Sequence, residues 1–212
     1  MMIKNNFTPF SSRQERARFI SKRFEKYAKD SSKILDVGCS DNDLKKNIGE
    51  KVFGIDIAGN PDQHVNLEKE KLSQFEDNSF DMIVCTEVLE HIDNLYETLE
   101  DMHRVSKKYI LISLPNCSDI WKVARILLFS ETGKFYGLPE EKPEDRHKWF
   151  FSWKEADKFF NSFCDKNSLE KKECFVHFNY SDSFKGSLLK TFLKILPMKL
   201  FAQSYWILIE KK

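Results

Sequence analysis

Two short segments constrain this chain more than any others. Lys33-Ile34-Leu35-Asp36-Val37-Gly38-Cys39-Ser40 and Val52-Phe53-Gly54-Ile55-Asp56-Ile57 read as strand, tight turn, helix and strand, with an acid closing the second strand. The apolar run of Ile34, Leu35 and Val37 suits a strand covered on both faces, as in a parallel sheet. Gly38 supplies a turn where backbone can approach a ligand closely. Asp56 stands 20 residues beyond Asp36, about where a nucleotide-binding β-α-β unit puts the carboxylate that accepts hydrogen bonds from ribose hydroxyls. A dinucleotide site favours a bare G-x-G-x-x-G turn with pyrophosphate at the helix N-terminus. Here Asp36, Asp41 and Asp43 crowd the turn and repel phosphate. The expected ligand is therefore neutral or cationic near that turn.

The rest of the chain repeats the alternation of strand and helix. After strands at 34–37 and 51–57, further strands are expected at 64–67, 80–86, 108–114, 169–180 and 205–210. Helices are expected at 12–30, from 43, at 94–105, at 119–129 and from the capping box Ser152-Trp153-Lys154-Glu155 to about residue 163. That order implies an α/β fold: a seven-stranded, mostly parallel sheet with helices on both faces, whose ligand site lies beyond the strand C-termini. At 212 residues the chain suits one domain over 1–212 and is short for two. The stretch 116–151 is too long for a plain connection and follows a site-facing strand, so it is expected to cap a substrate cleft.

Composition excludes several classes. A net charge of +1 gives no global field to recruit nucleic acid. The five cysteines, Cys39, Cys85, Cys117, Cys164 and Cys174, form no C-x-x-C pair and read as reduced thiols of a cytoplasmic protein. The first ten residues lack the apolar core of a signal peptide, and no run reaches the length of a membrane span. The basic run over 12–30 reads as a solvated helix face. The lysine-bearing apolar segment 184–201 reads as a helix covering the sheet or a dimer contact, with membrane-surface docking the weaker alternative. Monomer and homodimer both remain open.

A second block sharpens the picture. Asp77-Asn78-Ser79-Phe80-Asp81-Met82-Ile83-Val84-Cys85-Thr86-Glu87-Val88-Leu89-Glu90-His91-Ile92 follows the first two segments, and Arg104-Val105 then Tyr109-Ile110-Leu111-Ile112-Ser113-Leu114-Pro115-Asn116 follow it. Together, over 31–116, these motifs resemble the class I S-adenosylmethionine-dependent methyltransferases, in particular the subgroup of methionine-biosynthesis W-type proteins and small surface-polysaccharide methyltransferases. The resemblance implies a Rossmann-like sheet whose last strand is antiparallel and inserts between the fifth and sixth. It implies S-adenosylmethionine as cofactor and S-adenosylhomocysteine as product. The turn Asp36, Gly38, Cys39 and Ser40 would carry the methionine part, Asp56 with Ile57 the ribose, and Asn66 with Leu67 the adenine, while Thr86 and Glu87 close the fourth strand beside them. Ser40 and Asn42 stand where the family usually has glycines. Ser is small and Asn tolerates positive φ.

Two constellations concern the acceptor. His91 lies one helical turn after Glu87, so both fall on one face at the mouth of the site. His91 is a candidate general base or a structural histidine of that turn. Glu87 and His91 lack convergent partners as metal ligands, and no metal is expected. Asp145-Arg146-His147-Lys148-Trp149-Phe150-Phe151 offers a second base candidate, His147, and cations suited to an anion in Arg146 and Lys148. Trp149, and Tyr136 from the preceding loop, would line the acceptor cleft; the alternative is that the aromatics only plug the core. The implied activity is O-methylation of a small polar acceptor, a sugar or a phosphorylated or nucleotide-linked compound, in surface-polysaccharide synthesis. The alternative is a W-type protein that assists a partner without methyl transfer.

Overall fold

The computed structural model describes residues 3–133, 135–141, 143, 145–179 and 198–212. Its strands are β1 (Lys4–Asn6), β2 (Ile34–Val37), β3 (Val52–Asp56), β4 (Gln63–His64), β5 (Phe80–Thr86), β6 (Ser106–Pro115), β7 (Glu170–His177) and β8 (Ser204–Glu210). Its helices are α1 (Arg13–Arg23), α2 (Glu25–Lys29), α3 (Asp43–Ile48), α4 (Leu95–Val105), α5 (Ile120–Phe129) and α6 (Trp153–Lys166). The strands form one sheet in the order β1-β7-β8-β6-β5-β2-β3-β4. β2 pairs in parallel with β3 and β5, Ile34 lying opposite both Val52 and Met82. β8 is antiparallel to both of its neighbours, β6 and β7. The chain leaves β2 toward β3 on one side and returns to β5 on the other, so the switch point of the sheet lies between β2 and β5.

Alternation along the strands sorts the core into two layers. Leu35, Val37, Ile83 and Cys85 face Leu99 and Met102 of α4 and Phe160 of α6. Ile34, Met82, Val84 and Trp206 face Ala17 and Ile20 of α1, with Phe24 behind them. Each large side chain buried in this way contributes about 1.5 to 3 kcal/mol relative to leaving it in water. At the start of α6 the capping box is complete: Ser152 Oγ accepts from Glu155 N, and the Glu155 carboxylate accepts from Ser152 N.

Three expectations need correction. The sheet has eight strands, not seven, because Lys4–Asn6 pairs in parallel with Phe175–His177 at the far edge. The strand expected at 64–67 is only Gln63–His64; beyond it Asn66 N bonds the Glu70 side chain and Asn66 Oδ1 accepts from Glu68 N, which turns the backbone away from the sheet. The helix expected over 12–30 breaks at Phe24, whose backbone leaves helical geometry as its ring buries against Phe175 and Trp206. The segment 184–201 lies outside the described residues except for the short 3-10 turn Met198–Phe201. No helix among the described residues is long and apolar enough to cross a membrane.

Candidate active site

Beyond the C-terminal ends of β2, β3 and β5 lies a cavity of about 1150 Å³, of the size that holds small-molecule ligands. One side of it is the turn after β2. Gly38 has φ +77°, and a Cβ built there would lie 2.1 Å from Val88 Cγ2, so only glycine lets the β2 and β5 turns close on each other. Ser40 and Asn42 take φ +53° and +57°, the left-handed backbone that glycines provide in similar turns. Asn42 secures its position by donating from Nδ2 to Asn60 O, and Ser40 O accepts from Asn60 N.

Asp56, half-buried at the end of β3, is aimed by two backbone donors. Ser40 N bonds its Oδ2 at 2.7 Å and Ala58 N its Oδ1 at 3.1 Å. Gly38, Ser40, Asp56, Ile57, Asn66, Leu67 and Glu87 all line the cavity, Ile57 as an exposed side chain. Because Asn66 Oδ1 accepts from Glu68 N, its free hydrogen-bonding group is the Nδ2 donor. Asp36, Cys39 and Thr86 do not line it; they are buried around a neighbouring pocket of about 30 Å³ that shares Gly38, Arg13 and Arg16 with the cavity wall. Burial pushes the Asp36 carboxyl up to about 7, with Arg16 opposing the rise and Asp56 adding to it.

Arg13 and Arg16 are the residues that sequence pattern does not reveal. Their helix reads as a solvated basic face, yet one turn of α1 brings both to the cavity, where Arg13 Nη1 donates to Ser40 Oγ at 2.8 Å. The only signal was their i, i+3 spacing on the side that carries Ala17 and Ile20.

The other side of the cavity comes from the turn after β5 and from described residues of the following loop, among them Phe135, Tyr136 and Asp145 to Lys148. Glu87 adopts φ +58° and is tied to β6, its N–H donating to Ser113 O and its Oε1 accepting from Ser113 Oγ. Burial raises its carboxyl above the usual range. The expected helical turn joining Glu87 to His91 is instead a 3-10 turn, Leu89–His91, and both residues line the cavity. His91 Nδ1 lies 2.6 Å from Asp145 Oδ1 and 3.1 Å from Arg146 O. The His147 ring stands edge-on to it at 4.6 Å, and His147 Nδ1 lies 2.8 Å from the Tyr136 hydroxyl. Burial, then the charge of His91, brings the His147 imidazole down to about 4.

Tyr136 and Arg146 line the cavity with the two histidines. Trp149 does not: its Nε1 donates to Ile92 O and its ring packs edge-on to Tyr96. Lys148 is held by Glu68 and Asp93, so its charge is already matched. Glu90, between Glu87 and His91, is buried, and burial followed by the neighbouring Glu87 raises its carboxyl well above the usual range.

Similar chains are known. A crystal structure of a SAM-dependent methyltransferase from Archaeoglobus fulgidus superposes with a TM-score of 0.57 at 21% identity, covering 95% of both chains. A SAM-dependent methyltransferase from Methanosarcina mazei gives 0.56 at 18% identity over 89% of this chain and 96% of that one. Magnesium protoporphyrin IX methyltransferase from Synechocystis, solved with bound SAH, gives 0.57 at 12% identity over 93% and 84%. No curated protein matches the chain. These structures establish the fold; kinship comes from sequence, since the family profile described as "Methyltransferase domain" matches residues 11–171. That span runs from just ahead of α1 into β7 and includes every strand that meets the cavity, and the chain therefore belongs to the methyltransferase domain family.

Proposed function

We propose that the chain is an S-adenosylmethionine-dependent methyltransferase that methylates an oxygen of a small polar acceptor. The observation that carries this reading is the division of one cavity between two kinds of group: Asp56 and the turn around Gly38 at one side, two imidazoles and Arg146 at the other. The cofactor fits the first side. A half-buried carboxylate already aimed by two N–H groups can accept from a ribose diol. Gly38, closed over by Val88, brings the backbone of the turn to the cavity wall beside it. Asp56 and Glu87 put acids on the cavity wall beside that turn, which suits a sulfonium and disfavours a pyrophosphate. Asp56 would hold the ribose, Asn66 and Leu67 the adenine, and the 36–40 turn with Arg13 and Arg16 the charged ends of the methionine part. When bound, the cofactor supplies a methyl group already activated by its sulfonium.

The remaining work falls to this chain's residues. The wall formed by Phe135, Tyr136 and Asp145 to Lys148 would exclude water and hold the acceptor in line with the methyl group. His91 is the better base of the pair. The Asp145 carboxylate at its Nδ1 stabilises the imidazolium that forms when Nε2 takes a proton, whereas His147, at about 4, binds a proton weakly. Arg146 lines the cavity with no ion-pair partner among the described residues, and it supports an anionic acceptor such as a phosphorylated or nucleotide-linked sugar. A place in surface-polysaccharide synthesis rests on the resemblance to the small methyltransferases of that subgroup. The altered glycine turn is the sequence feature that favours a W-type assisting protein, and the left-handed Ser40 and Asn42 keep that turn in shape.

Calorimetric titration with S-adenosylmethionine tests the proposal. Asp56→Ala should leave the fold intact and weaken binding by about 2 to 3 kcal/mol, the value of charge-assisted hydrogen bonds. Absence of binding by the parent protein, or equal binding by the variant, overturns the assignment.

A further inference from the structure

Glu90 is the least explained group in the cavity wall. Its side chain is 1% exposed, and neither carboxylate oxygen has a hydrogen-bond partner among the described residues. A buried carboxyl in that condition is costly unless something positive or proton-donating meets it. The basic atom beside it is His91 Nε2, 3.6 Å from Oε1. One donor atom from each of Glu90, His91 and His147 falls within 4.8 Å of the others.

The proton positions on the two imidazoles follow from their partners. His91 Nδ1 faces two acceptors, Asp145 Oδ1 and Arg146 O, so it carries a proton, and in the neutral imidazole Nε2 holds the lone pair. Three groups among the described residues surround the Tyr136 hydroxyl; Trp149 O, at 3.0 Å, can only accept and takes its single proton, while the Cys117 thiol, 2.6 Å away, can donate to the same oxygen. The phenol oxygen therefore accepts from His147 Nδ1, which again leaves Nε2 bare. The stacked Phe135 ring, 4.3 Å from His147, fixes the plane of that imidazole. Two histidines, each with an oxygen atom at Nδ1 and each offering a ring nitrogen within 4.8 Å of an unpartnered carboxylate, have the arrangement that surrounding acceptors impose on metal-bound histidine.

We propose that Glu90, His91 and His147 bind one divalent transition-metal ion, with a coordination position open to the cavity. Two imidazoles and one carboxylate suit zinc, iron or cobalt; magnesium and calcium prefer all-oxygen sites. The binding claim is independent of the proposed reaction. A consequence that does rest on it is that an acceptor hydroxyl at the open position would be acidified by the metal, as bound water is, and would release its proton to solvent on binding, which would make the metal rather than a free histidine the activator.

The test uses the full chain, dialysed against chelator and titrated with Co²⁺ in the absence of cofactor and acceptor. A visible d–d band saturating at one equivalent, and displaced by Zn²⁺, is expected. Glu90→Gln and His147→Ala should abolish stoichiometric binding. Tyr136→Phe, which removes the oxygen that sets the His147 tautomer, should weaken it by about 10- to 100-fold. Far-UV circular dichroism checks each variant, and His91→Gln replaces Glu90→Gln if the buried substitution does not fold. No band at one equivalent, or a band unchanged in the folded variants, overturns the site. Parallel titration with S-adenosylmethionine separates the two claims: cobalt bound without cofactor removes the proposed function alone, and cofactor bound without cobalt removes the metal site alone.

Discussion

Val88 closes over Gly38 so tightly that a single added methyl group has nowhere to go. Gly38→Ala therefore carries two separate penalties: left-handed backbone for a residue with a Cβ, and overpacking against Val88. Together they should cost roughly 2 to 5 kcal/mol of stability in urea denaturation. Adding Val88→Ala should recover the packing part and leave the backbone part. A Gly38→Ala protein as stable as the parent would show that the two turns are not in contact. Residues of this kind are legible from sequence when their reason is local. Gly38 and Asp56 announce themselves by flanking an apolar strand, and the tolerance of Ser and Asn for the turn follows from side-chain size and local hydrogen bonding. Asp145 does not, because its meaning is the histidine it meets across a loop.

Strands buried on both faces are read easily, as the agreement over 80–86 and at β6 and β8 shows. β1 is invisible by the same logic. Lys4, Asn5 and Asn6 have no apolar pattern and become a strand only because β7 offers an unpaired edge. Helix α1 is legible as a helix but not as part of the site, since seven basic residues over 13–29 hide two that turn inward. The double variant Arg13→Ala/Arg16→Ala tests that placement. It should weaken S-adenosylmethionine binding tenfold or more, about 1.4 kcal/mol or above, with little change in melting temperature because both side chains lie outside the core. Unchanged affinity in calorimetry would return the whole helix face to solvent.

Acids buried around the β2 and β5 turns make the stability of the whole molecule depend on pH. Asp36 is raised from 3.8 to about 7 in the folded chain, so between those values the native state binds more protons than the unfolded one. The sign follows: this contribution is present in full below pH 3.8 and is lost as pH rises through 7, a change of up to about 4 kcal/mol. Glu87 and Glu90, also raised by burial, act in the same direction, whereas His147, lowered to about 4, acts oppositely as pH falls from 6.5. Urea unfolding at pH 5 and pH 7.5 should thus show a smaller loss of stability for Asp36→Asn than for the parent; identical losses would mean that Asp36 is ionised in the fold. The position of β8 has a kinetic consequence. It separates β6 from β7, so nothing in the sheet joins β7 and β1 to the other strands until a segment lying 89 residues beyond β6 has threaded antiparallel between them. Such distant pairing is slow to form, and the partly folded chain exposes the apolar edges of β6 and β7 at once. Refolding is then most exposed to misassociation just before this strand docks, and a peptide copy of 204–210 added during refolding would compete for that gap.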